Sequence, residues 1–387
     1  MTRLGDILAD VKPGFATGDD LDDGVFQFRM HNFTRESALD LTKRRRVNAT
    51  AKQLMIQSVA PGDVLFNATN SPELVGKSAL IGVLDEPAVF SNHFMRLRTD
   101  PTQLDPGYLA HFLRFQFGRG VFRAMAKAWV NQATIGRDRL EGLDIPLLPL
   151  PEQRRIAAIL DHADALRTDR REVLTRLDVL TKSIFNEMFG DPLTNPKGLP
   201  RATIGSVAAV VTGNSPSRAD TSNFGDSIEW IKSGNLGGDV ASTADEWLSE
   251  TGRAKARVAP LGSILVTCIA GSPTSIGKAS MVDRDVAFNQ QINAILPSDK
   301  IDTAFLLAQL KTAPTLVRAK STGGMKGLVN KSAFQSIEIL LPGIDLQRGF
   351  AERIACVASL QSIAKSSLNV EDGLFASLQS RAFRGEL

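Results

Sequence analysis

The stretch PLPEQRRIAAIL, residues 149–160, decides how the chain divides. It closes the apolar, proline-studded run Ile145-Pro146-Leu147-Leu148, and after Pro151 neither glycine nor proline recurs until Gly190-Asp191-Pro192. A helix can therefore run unbroken between those two stops. Ile156, Ala163, Leu177 and Ile184 fall on one seven-residue series, which Arg170 interrupts, and Ile159, Leu166, Val173 and Leu180 follow three residues behind. Two such series are the signature of a coiled-coil seam. About 35 residues at 1.5 Å each reach roughly 50 Å, far beyond an ordinary globular helix.

The same pattern returns near the C-terminus. Residues 143–190 align with 337–384 at a constant offset of 194, with 11 identities in 48 pairs, among them Gln153 with Gln347 and Phe189 with Phe383. Upstream the repeat is weaker and its offset drifts. Leu4-Gly5-Asp6-Ile7 resembles Ile204-Gly205-Ser206-Val207, and Pro61-Gly62-Asp63-Val64-Leu65-Phe66 resembles Leu261-Gly262-Ser263-Ile264-Leu265-Val266. Val75-Gly76-Lys77 echoes Ile276-Gly277-Lys278. Fixed-period self-similarity is read before any single motif. The chain divides as domain 1–142, helix 143–192, domain 193–336 and helix 337–387. The second helix keeps Phe350, Val357, Ala364 and Leu378 on the matching face, but Glu371 replaces Leu177 and Gly373 weakens it. Its C-terminal half is expected to bend or fray. If a pseudo-two-fold axis relates the halves, the helices lie antiparallel and space two domains for a ligand with two separated sites, such as duplex DNA.

Bulk properties exclude several classes. A hydrophobic share of 43% and a charged share of 22% suit a globular protein with a sizeable core. No run approaches the roughly 20 apolar residues of a membrane span, and MTRLGDILADVKPGF lacks a signal-type apolar stretch. Two cysteines, Cys268 and Cys356, form no ligand spacing, which favours a reducing cytoplasm. Gly76-Lys77-Ser78 lacks the upstream glycine of a phosphate loop, having Ser71 there. Four scattered histidines offer no metal spacing, and Gly213-Asn214-Ser215-Pro216-Ser217 is no nucleophile elbow. The expectation is a chain without catalytic groups or metal of its own.

Binding signals are softer. Lys43-Arg44-Arg45-Arg46 is the densest basic run, able to neutralise phosphates or simply to sit in solvent. Arginine and lysine read guanine, and asparagine and glutamine read adenine, in the major groove. Candidates in the first half are Arg29, Asn32, Lys77, Asn92, Asn131 and Gln132. In the second half they are Lys232, Asn235, Lys278, Asn289, Gln290, Lys326 and Asn330. One tyrosine and three tryptophans do not advertise base stacking, which favours a duplex ligand.

Taken together, the 149–156 helix start, the Phe189-Gly190-Asp191-Pro192 exit and the LQSRAFRGEL ending at 378–387 carry a family resemblance. So do Thr203-Ile204-Gly205-Ser206-Val207 and the 326–331 turn. The chain resembles the specificity subunits of type I restriction–modification systems over nearly its whole length. That resemblance implies an α/β (α+β-like) fold of two tandem target recognition domains alternating with two long antiparallel spacer helices. It implies double-stranded DNA as ligand, each domain reading one half of a bipartite asymmetric site. The implied partners are two methyltransferase subunits and, in a full endonuclease, restriction subunits, which between them hold S-adenosylmethionine, ATP and Mg. Two other readings stay open: a coiled-coil scaffold with duplicated non-DNA domains, and a methyltransferase–specificity fusion.

Overall fold

In the computed structural model, residues 1–34, 38–128, 131–322 and 327–387 are described. The short run Val64-Leu65-Phe66 forms a strand apolar on both faces, because both faces are covered. Leu65 points into a cluster with Phe26, Phe28, Phe90 and Phe94, while Val64 and Phe66 point the other way, toward Leu109 and Phe112. Ile264-Leu265-Val266 repeats this arrangement. Leu265 sits with Ile231 and Phe288, while Ile264 and Val266 sit with Phe305 and Leu306. Each strand is entered through a tight turn whose glycine, Gly62 (φ +91°) or Gly262 (φ +83°), occupies left-handed backbone.

The chain forms two compact units, one of Met1–Arg171 with Ser366–Leu387, the other of Glu172–Lys365. The boundary passes through both long helices, so the first unit is assembled from both ends of the chain. In that unit an antiparallel sheet runs in the order Leu8–Pro13, Phe94–Thr99, Val64–Asn67, Ser78–Leu80. A second sheet pairs Val25–Phe28 in parallel with Ala88–Phe90. The second unit has the same order: Val210–Thr212, Ile292–Ile295, Ile264–Thr267, Ala279–Met281. There Phe224–Ile231 runs parallel to Val286–Phe288. The upstream repeat, faint in sequence, is one topology built twice.

The glycines of the two Val/Ile-Gly-Lys echoes also have a packing reason. A Cβ on Gly76 (φ +92°) would lie 2.4 Å from Phe122, and one on Gly277 (φ +82°) 2.9 Å from the Pro314 carbonyl. These are close approaches inside a core, and not a phosphate cradle.

The first long helix spans Leu150–Phe189 and the second Ile344–Ala382. Gln153 explains the opening stretch. Buried, it donates to the carbonyls of Gln103 (2.8 Å) and Leu148 (2.7 Å) and accepts the Asp105 N–H at 2.9 Å. Gln347 does the same work with the Pro342 carbonyl (2.7 Å) and the Asp302 N–H (2.9 Å). Asp105 and Asp302 in turn cap the helices that begin at Pro106 and Thr303.

Within each unit the helices run antiparallel. In the first, Arg155 donates to the Leu387 carbonyl at 2.8 Å, whereas Arg167, a few turns on, pairs with Asp372 at 2.6 Å. In the second, Gln361 donates to Asp178 at 2.8 Å, and Phe185 and Phe189 reach Phe350 at ring distances of 5.6 and 5.5 Å. Two expectations change here. The second series of the seam lies four residues after the first, through Leu160, Arg167 and Leu174, which are buried or half-buried. Leu166, Val173 and Leu180, three residues after, are 46, 41 and 42% exposed. The second helix does not fray, either. Glu371 meets Arg170 at 3.0 Å, so the two polar interruptions of the seam satisfy each other, and the helix continues through the exposed Gly373 to Ala382.

Candidate nucleic-acid interface

In both units the parallel strand ends in one 3-10 turn, Met30–Asn32 or Ser233–Asn235. Asn32 is buried: its Nδ2 donates to the carbonyls of Asp40 (2.9 Å) and Lys43 (2.7 Å), and its Oδ1 accepts the Arg29 N–H at 2.8 Å. Asn235 accepts the Lys232 N–H at 2.9 Å and donates to the Thr243 carbonyl at 3.1 Å. The recurrence of Arg29 with Asn32 and of Lys232 with Asn235 is therefore that of a turn clamp. Arg29 is half-buried and donates to the Thr17 carbonyl at 3.0 Å, and burial together with nearby Arg45 lowers its pKa. Lys232 pairs with Glu246 and lies 5.1 Å over the Trp230 ring. The hydrogen bond from Lys232 holds the Glu246 carboxyl below its ordinary range.

The densest basic run is mostly spoken for. Arg44 and Arg46 both reach Glu86 at 2.6 Å, and the Arg46 hydrogen bond holds that carboxyl below its ordinary range. Arg45 donates to the carbonyls of Asp19 (2.5 Å) and Gly18 (2.8 Å). Lys43 is exposed.

Other candidates separate by exposure. Lys77 is buried and donates to the Thr34 carbonyl at 2.7 Å, whereas its counterpart Lys278 is exposed. Asn289 is buried and spends both ends of its amide on Gln291. Next to it Gln290 is exposed and accepts from Ser215, and the equivalent Asn92 is exposed as well. Asn330 caps the helix Lys331–Gln335 through the Ala333 N–H at 2.8 Å. Lys326 lies outside the described residues.

Asn131 and Gln132 are exposed just before the strand Ala133–Thr134, which pairs with Lys127–Ala128 on one side and Thr69–Asn70 on the other. The second unit builds the same hairpin from Gly327–Leu328, Ile269–Ala270 and the Thr322–Leu328 bridge. The neighbourhood of this hairpin was missed by looking for contiguous charge. Residues 111–142 hold Arg114, Arg119, Arg123, Lys127, Arg137 and Arg139 against Asp138 and Glu141, and residues 303–337 hold five cations and no acid. A windowed charge balance would have found both.

Among the described residues no group of three His, Cys, Asp or Glu side chains is placed to hold a metal ion, and no helix is long and apolar enough to cross a membrane. Burial pushes the Cys268 thiol up to about 12, which leaves it an inert core group.

Comparison with known proteins agrees with this architecture. A family model described as the type I restriction modification DNA specificity domain matches residues 57–176 and 196–367. A Methanocaldococcus jannaschii protein, provisionally named the MjaX type I restriction enzyme specificity subunit, is 22% identical over 379 residues, covering 94% of this chain and 87% of its own. The crystal structure of a type I restriction–modification S subunit from M. genitalium superposes with a TM-score of 0.62 at 15% identity, over 99% of this chain and 95% of that one. A chain from a structural study of type I R-M complex assembly and conformational transition gives 0.57 at 20% identity, over 100% and 97%.

Proposed function

Since the chain belongs to the type I restriction–modification DNA specificity family, we propose that it gives such a complex its sequence specificity on double-stranded DNA. Residues 1–142 and 193–336 act as two target recognition domains, each reading one half of a bipartite site. The observation that carries this reading is the duplication, with one strand order built twice and each copy followed by the same long helix. Two halves that keep a fold and differ in surface residues suit two different half-sites. Phosphate contacts position such domains and base-edge contacts specify. Coupling two weak half-sites through a stiff helix raises affinity by effective concentration.

The long helices serve a second purpose in this reading. Leu166, Val173 and Leu180 on the first, and Leu360, Ile363, Val370 and Leu374 on the second, are 41–70% exposed. Aligned apolar side chains left in water mark an interaction face. The partners assigned to it are two methyltransferase subunits, with restriction subunits joining the full endonuclease. Those partners hold S-adenosylmethionine, ATP and Mg, and this chain contributes no catalytic group.

The test is genome-wide adenine methylation in a clean host expressing the chain with its methyltransferase subunit, against each alone. A gapped motif methylated on both strands only under co-expression is expected. No new mark from soluble, co-purifying proteins would contradict the reading and favour a scaffold.

A further inference from the structure

Arg119, Arg123 and Lys127 fall four residues apart on consecutive elements: the C-cap of helix Pro106–Gly118, the helix Val121–Met125 and the strand Lys127–Ala128. All three are exposed. Arg119 lies 5.5 Å over the Phe115 ring, which fixes where its guanidinium sits, and Arg139 joins the group by donating to the Met125 carbonyl. Among the described residues Arg123 and Lys127 have no ion-pair partner, whereas nearby Arg137 is taken up by Glu141 at 2.7 Å. Glu73 lines the same shallow cavity as Arg123 and forms no ion pair with it.

The second unit handles the equivalent positions differently. Phe122 fills the space over Gly76 as Val317 lies over Gly277, which makes Arg123 and Arg318 counterparts. Arg318 is pinned, donating to the carbonyls of Ile276 and Thr274 at 3.0 Å each. Lys127 faces Thr134 where Thr322 faces Leu328, so an unpaired cation in one hairpin is an uncharged hydroxyl in the other. An exposed cation held off every local acid keeps its charge for an outside anion.

Building on the DNA-reading function, we propose that the cationic flank of the 127–134 hairpin is a phosphate-contact track. It seats Asn131 and Gln132 against base edges of one half-site. In the second unit the position matching Lys127 is the uncharged Thr322, so the track is not repeated there in the same form.

The experiment measures binding of the chain, co-purified with its methyltransferase subunit, to a duplex carrying its motif, across about 50 to 200 mM salt. Each lost phosphate contact lowers the slope of log K against log salt by about 0.9. Arg123→Ala/Lys127→Ala is expected to lower the slope by about 1.8 and weaken binding roughly tenfold at the top of that range. The charge-keeping pair Arg123→Lys/Lys127→Arg should retain the wild-type slope. Arg119→Gln, at a helix end, gives a second test should the double variant fail to fold, with an expected slope loss of about 0.9. An unchanged slope in the charge-removing variants overturns the proposal while leaving DNA reading intact. A slope lost equally in the charge-keeping pair overturns it as well, because the role would then be structural. Absence of DNA binding by the wild-type complex would remove the parent reading.

Discussion

At one place in the main sheet the first unit sets charged side chains where the second sets uncharged ones. Asp63, 1% exposed, takes both nitrogens of Arg98 at 2.7 and 2.8 Å, and Arg96, buried beside it, reaches Asp10 at 2.5 Å. Strand register puts Ala294 opposite Leu265's strand position where Arg96 opposes Leu65, and so Leu296 replaces Arg98 and Ser263 replaces Asp63. A second site reverses its polarity. Two residues before the parallel partner strand, Glu86 gathers Arg44 and Arg46, while at the same place Arg284 clamps buried Glu229 at 2.7 and 2.8 Å. The backbone topology is thus specified by the two-sided apolar strand and its glycine turn. Charge inside the sheet varies on top of it. A buried ion pair is often replaceable as a set and costly to break singly.

The largest expected effect tests the asymmetry of assembly. Phe375, Ala382 and Phe383 are buried in the first unit's core, and Phe383 lies within 5.2–5.4 Å of the Tyr108, Phe112 and Phe115 rings. Deleting 375–387 removes two core aromatics, each worth about 3–5 kcal/mol. The first unit should lose protection in hydrogen exchange while the continuous 172–365 segment keeps it. Equal loss in both would break the comparison.

Next come the ions. Asp63→Ala takes the carboxylate from the half-exposed Arg98 and the acceptor from the Ala60 N–H, while Arg96 keeps Asp10, and should cost about 1–3 kcal/mol in denaturant unfolding. Ser263→Ala, at the matching position, should cost only about 1 kcal/mol, the worth of its hydrogen bond to the Pro260 carbonyl. Transplanting Ser, Ala and Leu at 63, 96 and 98 together, with Asp10→Ala, should cost less than Asp63→Ala alone. A larger cost would show that the ions are required by the first unit's backbone.

Acid acts on both units by different carboxylates. The Arg284 hydrogen bond lowers Glu229. At Asp10 burial pushes upward, but hydrogen bonds from Lys12 and Arg96 outweigh it and the pKa falls. A carboxyl lowered on folding contributes stability that is full above its unfolded value and lost as pH falls through the folded one. Melting temperatures should therefore decline as pH drops below the ordinary values of 4.5 and 3.8. Asp10→Asn together with Glu229→Gln should flatten that decline, and an unaltered profile would assign it to other groups.

The smallest effect concerns the basic run. Because Arg44, Arg45 and Arg46 serve internal acceptors, Lys43→Ala should weaken DNA binding only slightly and equally for all sequences, by titration of motif and non-motif duplexes. A loss confined to the motif would make Lys43 a base reader.

The helices and their duplication were legible because Gln153 and Gln347, or Phe189 and Phe383, hold equivalent buried places. The seam was half legible. Its second series includes Arg167 and Gln361, polar residues satisfied across the pair by Asp372 and Asp178. The more apolar Leu166 series at the neighbouring spacing looked the better choice. The recurrence of Asn32 and Asn235 marks a turn that both units build, each side chain accepting the backbone N–H of Arg29 or Lys232. The hairpin cations do not stand out in the sequence because they are four residues apart and form no contiguous run.

In the proposed function the paired helices couple two separate readers. Removing one heptad from each partner, residues 171–177 and 362–368, keeps the faces in phase, since seven residues make nearly two turns. The measurement is the methylated motif of that variant co-expressed with its methyltransferase subunit. Both half-sites are expected unchanged and the gap between them shorter. An unchanged gap, or altered half-sites with the gap preserved, would contradict it.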